Sequence, residues 1–197
     1  MLAALTGLGL SAAAGLNAYI PLLLVGLIAR YTDAVTLPES YAFLQSGWVV
    51  TVVTVLLAVE VVVDKVAVVD HVNDAIQTFV RPAVGGAIFA ATAAAEQADA
   101  SAWMQDNAWA GWLLGIVVAG VVHGLKTTAR PVVNATTVGI GTPVVSAAED
   151  ATSLGLALVA IFAPLLVIVA LALVIWAAIA VYRLRARRRR ARPRRLA

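Results

Sequence analysis

The run from Leu154 to Val181 holds no charged side chain and exceeds the roughly 18 to 20 apolar residues that cross a bilayer. Similar runs cover residues 2–28, 47–69, 82–95, 109–125, 131–146 and 153–182, and together they leave no room for a soluble domain. With 62% apolar and 13% charged residues and a mean hydropathy of +0.93, the chain lies far from the composition of soluble domains. The expected fold is all-α: a polytopic membrane helix bundle of about six segments. The opening MLAALTGLGLSAAAG lacks a basic start and continues into a second apolar stretch, so it reads as a retained first span rather than a signal peptide. Without cysteine, the chain has no disulfides, thiolate metal sites or cysteine nucleophile.

Nine of the fourteen basic residues are arginines of the tail YRLRARRRRARPRRLA. A tail of this kind, residues 183–197, reads as a cytoplasmic anchor that attracts anionic lipid headgroups. No aromatic or folded reader accompanies it, so nucleic acid is not an expected partner. The linkers ARYTDAVTLPESYAFLQS, EQADASAWMQDN and SAAED are acidic, whereas those near 65–81 and 123–130 are basic. Six crossings of the cell membrane with both termini in the cytoplasm then place the acidic linkers outside and the basic ones inside. Trp48, Trp103, Trp109 and Trp112 lie beside the outer linkers and Trp176 lies near the inner end of the last run, as interfacial anchors should.

Two runs, 82–95 and 131–146, are short for a span, and the polar-rich stretch 47–79 is long for one. Pro82, Gly85 and Gly86 punctuate the first, and Pro131, Gly139, Gly141 and Pro143 the second. Such punctuation marks broken or re-entrant helices, which persist at membrane depth only when buried in protein or lining a cavity. Residues 9–27 and 124–140 share a loose pattern of Gly-Leu, small residues, Asn-Ala and an apolar stretch, compatible with an inverted repeat.

Residues 59–82, VEVVVDKVAVVDHVNDAIQTFVRP, interrupt this apolar chain with seven ionisable side chains. At about 100° per residue, Glu60, Asp64, His71 and Asp74 fall within an arc of about 80° on a continuous helix. Arg81 joins that face if the helix reaches Pro82, and Asp70 borders it. In VVHGLKTTARPVVNATT, residues His123, Lys126, Arg130 and Asn134 share a face in the same way. Four acids, Glu60, Asp64, Asp70 and Asp74, thus stand against four bases, Lys65, Arg81, Lys126 and Arg130. An isolated charge at the bilayer centre costs at least about 2.5–3.5 kcal/mol, so mutual pairing is the expected resolution. A functional cavity, a structural ion-pair network and a solvated loop all remain open. Glu60, Asp64, His71 and Asp74 are also candidate ligands for a divalent metal, although no motif spacing selects one and no cofactor is otherwise expected.

Several of these motifs occur in one order: SAAAGLNAYIPLLLVGL, then E-x-x-x-D-K-x-x-x-x-D-H-x-x-D with Arg81-Pro82-x-x-Gly85, then H-x-x-K-x-x-x-R-P-x-x-N, then G-x-P-x-x-S-x-x-E-D. The combination resembles a bacterial multi-pass membrane family known only as domain of unknown function 4126. The resemblance implies a membrane domain with no established activity. In that family the position of Asn17 is often basic, so this chain lacks one charge there.

The charges favour a small transporter or channel-like protein in which Glu60, Asp64 and Asp74 face Lys126 and Arg130. A carboxylate, or His71, would exchange a proton or cation while Arg130 or Lys126 binds an anionic group. Asn17 and Asn134 would supply neutral hydrogen bonds at helix breaks. A chain of this size is expected to form a homo-oligomer to build a pathway. The alternatives are a non-transporting scaffold with structural ion pairs and a metal-dependent membrane enzyme acting on lipid headgroups.

Overall fold

The computed structural model describes residues 2–65, 67–95, 107–137 and 141–173, and positions 175, 176, 179 and 183. At 67–72, 93–95, 108 and 131–137 only the backbone is described. The principal described elements are six α-helices and one 3₁₀ turn, with no strand among the described residues: α1 (Leu2–Leu16), α2 (Tyr19–Tyr31), the turn (Glu39–Gln45), α3 (Gly47–Val63), α4 (Ala67–Ala95), α5 (Ala108–Thr137) and α6 (Thr142–Phe162). All-α architecture is therefore as expected from the sequence.

Helix α1 is the axis of the molecule, and α4, α5 and α6 pack around it. Its small residues permit this. Ala12, Ala13 and Ala14 are wholly buried, and Gly9 and Gly15 approach Ala160 and the Ala119 carbonyl so closely that an added Cβ would sit 2.6 Å from each. The tightest contact joins α4 to α5, where a Cβ on Gly115 would lie within van der Waals overlap of the Gly85 carbonyl oxygen. Without a hydrophobic drive between helices in lipid, close approach through small residues is a main source of association energy.

The chain between Leu16 and Tyr19 breaks for a local reason. Pro21 has no N–H to give the Asn17 carbonyl, and the amides of Tyr19 and Ile20 turn instead to Asn17 Oδ1, at 3.0 and 3.2 Å. The Leu16 carbonyl is left without a helical donor. A second break follows α6, where Ala163 (φ −144°, ψ 60°) precedes Pro164, a position from which proline sterics exclude the helical conformation. Helix resumes at 166–173, and Val167 packs onto Gly9.

Four expected boundaries are corrected. The stretch 47–79 is not one helix: it breaks after α3, where Lys65 N–H donates to Val62 O in a tightened last turn. Run 82–95 is no separate short segment but the second half of the 29-residue α4, with Pro82 inside it. Run 131–146 is divided between the end of α5 and the start of α6. SAAED is no outer linker, because Ser146 to Asp150 lie in the first half of α6. Among the described residues two helices, Trp109–Arg130 within α5 and all of α6, are long and apolar enough to cross a membrane. A third is available if the 3₁₀ turn and α3, bent by 60°, form one span, still fewer than the expected six. The shortfall arises because apolar runs merged into long helices carrying charge, or split into α1 and α2, each short for a crossing.

Candidate functional site

Below the Leu16–Tyr19 break, α3, α4, α5 and α6 bring a group of charged side chains together out of solvent. Glu60 and Asp64 come from the end of α3, Asp74 and Arg81 from α4, His123, Lys126 and Arg130 from α5, and Glu149 from α6. Arg81 is 0% exposed, and Glu60, Asp64, His123, Lys126 and Arg130 are each below 5%.

Two linked subgroups are visible. In the first, Arg81 Nη2 donates to Glu60 Oε1 at 2.7 Å and Arg81 Nη1 donates to His123 Nδ1 at 3.1 Å. A guanidinium has no acceptor, so Nδ1 must carry the lone pair and Nε2 the hydrogen. Nε2 accordingly donates to Thr78 Oγ1 at 3.1 Å, and Thr78 Oγ1 donates to the Asp74 carbonyl at 2.8 Å. These contacts hold His123 as a neutral imidazole of one tautomer.

Asp64 is the hub of the second. Its Oδ2 accepts from Lys126 Nζ at 3.2 Å and Arg130 Nη2 at 2.9 Å, and its Oδ1 accepts from Asn73 Nδ2 at 2.7 Å. Glu149 Oε2 lies 2.5 Å from Arg130 Nη2 and 3.1 Å from Lys126 Nζ. Lys126 Nζ also donates to the Leu16 carbonyl at 2.9 Å, the oxygen freed by the helix break. Lys126 thus makes two hydrogen bonds and a salt bridge to Glu149. Removing one member of such a buried set leaves an uncompensated charge, at a cost of about 3–5 kcal/mol.

Asp74 is the exception. Among the described residues its only charged contact is Arg130 Nη1, 3.9 Å from Oδ1, and that buried oxygen accepts no hydrogen bond. Burial pushes the Asp74 carboxyl above its ordinary range, and nearby Lys126 and Arg81 only partly offset this.

Asn17 adjoins the cluster: while Oδ1 caps α2, Nδ2 donates to Asp150 Oδ1 at 2.9 Å. The two continuous faces inferred from the sequence therefore do meet, although one of them is interrupted. Glu60, Asp64, Asp74, Arg81, His123, Lys126 and Arg130 converge as expected. The side chains of Asp70, His71 and Asn134 lie outside the described residues. Lys65 leaves the expected set, since its ammonium donates to the Val61 carbonyl of its own helix. Among the described residues no group of three or more His, Asp or Glu side chains is placed to hold a metal.

The reading of the charged stretch missed Glu149, Asp150, Asn73 and Thr78. Glu149 and Asp150 carried a signal, the S-x-x-E-D string that follows Pro143 at helical spacing, but their apparent place in a linker concealed it. A family described as a domain of unknown function (DUF4126) matches residues 4–184 of the chain. No curated protein and no solved structure matches it.

Proposed function

The chain belongs to the DUF4126 family, which assigns no activity, and from the buried cluster we propose that it is a small membrane transporter of charged solutes. The cluster is the site of that activity. The observation that carries the reading is an imbalance among the described residues: Glu60, Asp64, Asp74 and Glu149 oppose Arg81, Lys126 and Arg130 beside a broken helix. A purely structural network gains nothing from an extra buried acid, whereas a site that loads and unloads an ion uses one. Broken helices next to buried polar groups are also how transporters expose backbone carbonyls to their cargo.

Because Asp64 and Glu149 already pair with both Lys126 and Arg130, an anionic group would reach Lys126 or Arg130 only by displacing Asp64 or Glu149. Exchange of a protein carboxylate for a solute anion is then the binding step, and it would loosen α6 from α5. The reading places the protein in the cell membrane with the arginine tail on the cytoplasmic side, against anionic headgroups, and allows assembly of several copies around a pathway.

The pairing of Lys126 and Arg130 with Asp64 and Glu149 favours a second reading, a scaffold whose ion pairs only hold helices together. Proteoliposomes separate the two. Under imposed gradients of H⁺, Na⁺, K⁺, chloride, phosphate or acetate, the wild type should carry at least one ion faster than empty liposomes. The doubly neutralised Asp64→Asn/Lys126→Met protein should fold yet lose that flux. Flux no greater than that of empty liposomes under all six gradients would leave the scaffold.

A further inference from the structure

Among the described residues the cluster has one more acid than bases; Glu60 Oε2 and Asp74 Oδ1 both accept no hydrogen bond, and Asp74 is the acid with the weaker ion pair. Glu60 is bonded to Arg81 at 2.7 Å, Asp64 to Arg130 at 2.9 Å and to Lys126 at 3.2 Å, and Glu149 to Lys126 at 3.1 Å and to Arg130. His123 adds no charge, since Arg81 occupies its Nδ1 lone pair. Only Asp74 lacks a charge-assisted hydrogen bond. Its buried Oδ1 has no donor, and Gln77, 2% exposed, has a buried Oε1 in the same condition. Asp74 and Gln77 are three residues apart on α4, the spacing at which side chains on a helix meet.

Asp74 Oδ1 and Gln77 Oε1 are acceptors without a donor on neighbouring positions of one helix face, and a single hydrogen between them would serve both. We propose that Asp74 is a proton-binding site, carrying an exchangeable proton on Oδ1 that it donates to Oε1 of Gln77. Uptake converts the carboxylate and one proton from water into a carboxylic acid, with no other bond made or broken. The charge of the seven described acids and bases then rises from −1 to zero. The groups facing Asp74 are Arg130, Lys126 and His123 from α5, Arg81 on α4, Asp64 beyond α3 and Glu149 from α6. Displacing Arg130 or Lys126 toward a solute anion would change the field at Asp74, so anion binding and proton binding are linked. This linkage rests on the transport reading; the proton itself does not.

Infrared spectroscopy of the purified full chain in D₂O tests it without any flux. The wild type should show a carboxylic-acid carbonyl band between about pH 5 and pH 8, where exposed carboxylates are ionised. Asp74→Asn, whose amide N–H can serve Gln77 in the proton's place, should fold and lose the band. Gln77→Leu should keep the band but lose it at lower pH than the wild type, because the acid form has lost its acceptor. A wild type without the band throughout that range, or a band untouched by Asp74→Asn, overturns the proposal. So does an absent band together with melting that shifts on adding Na⁺ or K⁺, which assigns the oxygens to a metal cation. A band with this behaviour in a protein that carries no ion upholds the proton and defeats transport alone.

Discussion

At the scale of single residues, Asp64 and Asp74 differ in partners, and their removal should differ accordingly. Asp64 neutralises Lys126 and Arg130 at once. Asp64→Asn is therefore expected to lower unfolding free energy in detergent by about 3–5 kcal/mol, and adding Lys126→Met should restore part of it. Simple additivity of the two losses would mean that the pair is not coupled. For Asp74 the sign reverses. Its folded pKa lies above the ordinary 3.8, so the folded state holds the proton more tightly than the unfolded state. The resulting stability is complete below 3.8 and disappears as pH rises through the folded value. Melting temperatures should consequently fall across that window in the wild type, and Asp74→Asn should have a shallower slope.

At the scale of elements, packing depends on glycine where helices touch and not elsewhere. Gly115→Val pushes a side chain into the Gly85 backbone, which cannot yield, and should abolish a monodisperse folded peak in size-exclusion chromatography. Gly155, with nothing within 4 Å of an added Cβ, is the control: Gly155→Ala should fold and stabilise α6 by up to about 1 kcal/mol. Asn17→Ala removes the cap of α2 and the bond to Asp150, for a loss of about 1–2 kcal/mol in denaturant titration. The two segments that echo one another in sequence differ here, since 9–27 contains this break while 124–137 is continuous helix through Pro131.

At the scale of the whole molecule, polarity is inverted relative to a soluble protein. Arg81, Asp64, Gln77 and Asn17 are buried, while Trp48, Val55, Val59 and Val62 on α3 and Trp109, Leu113 and Val117 on α5 are exposed. An apolar exterior of this extent is compatible with a membrane location. The chain should remain in the membrane fraction after an alkaline carbonate wash, and release into the supernatant would contradict that reading.

Hydropathy made the helical class and the apolar, membrane-compatible segments legible in the sequence, because lipid rewards uniformly apolar segments and helices satisfy their own backbone. Helical spacing likewise brought Glu60, Asp64 and Asp74 onto one stretch and Lys126 and Arg130 onto another, and the cost of buried charge required them to pair. Where helices end was beyond that reasoning. Pro21 and Pro164 stand beside helix breaks, whereas Pro82 and Pro131 lie inside continuous helices, a difference that proline itself does not announce. Glu149 entered the cluster, and Asp74 was left without a full partner, only through the packing of α6 beside α5. Which charge neutralises which is a matter of distances between elements far apart in the chain, and those distances exist only in the folded molecule.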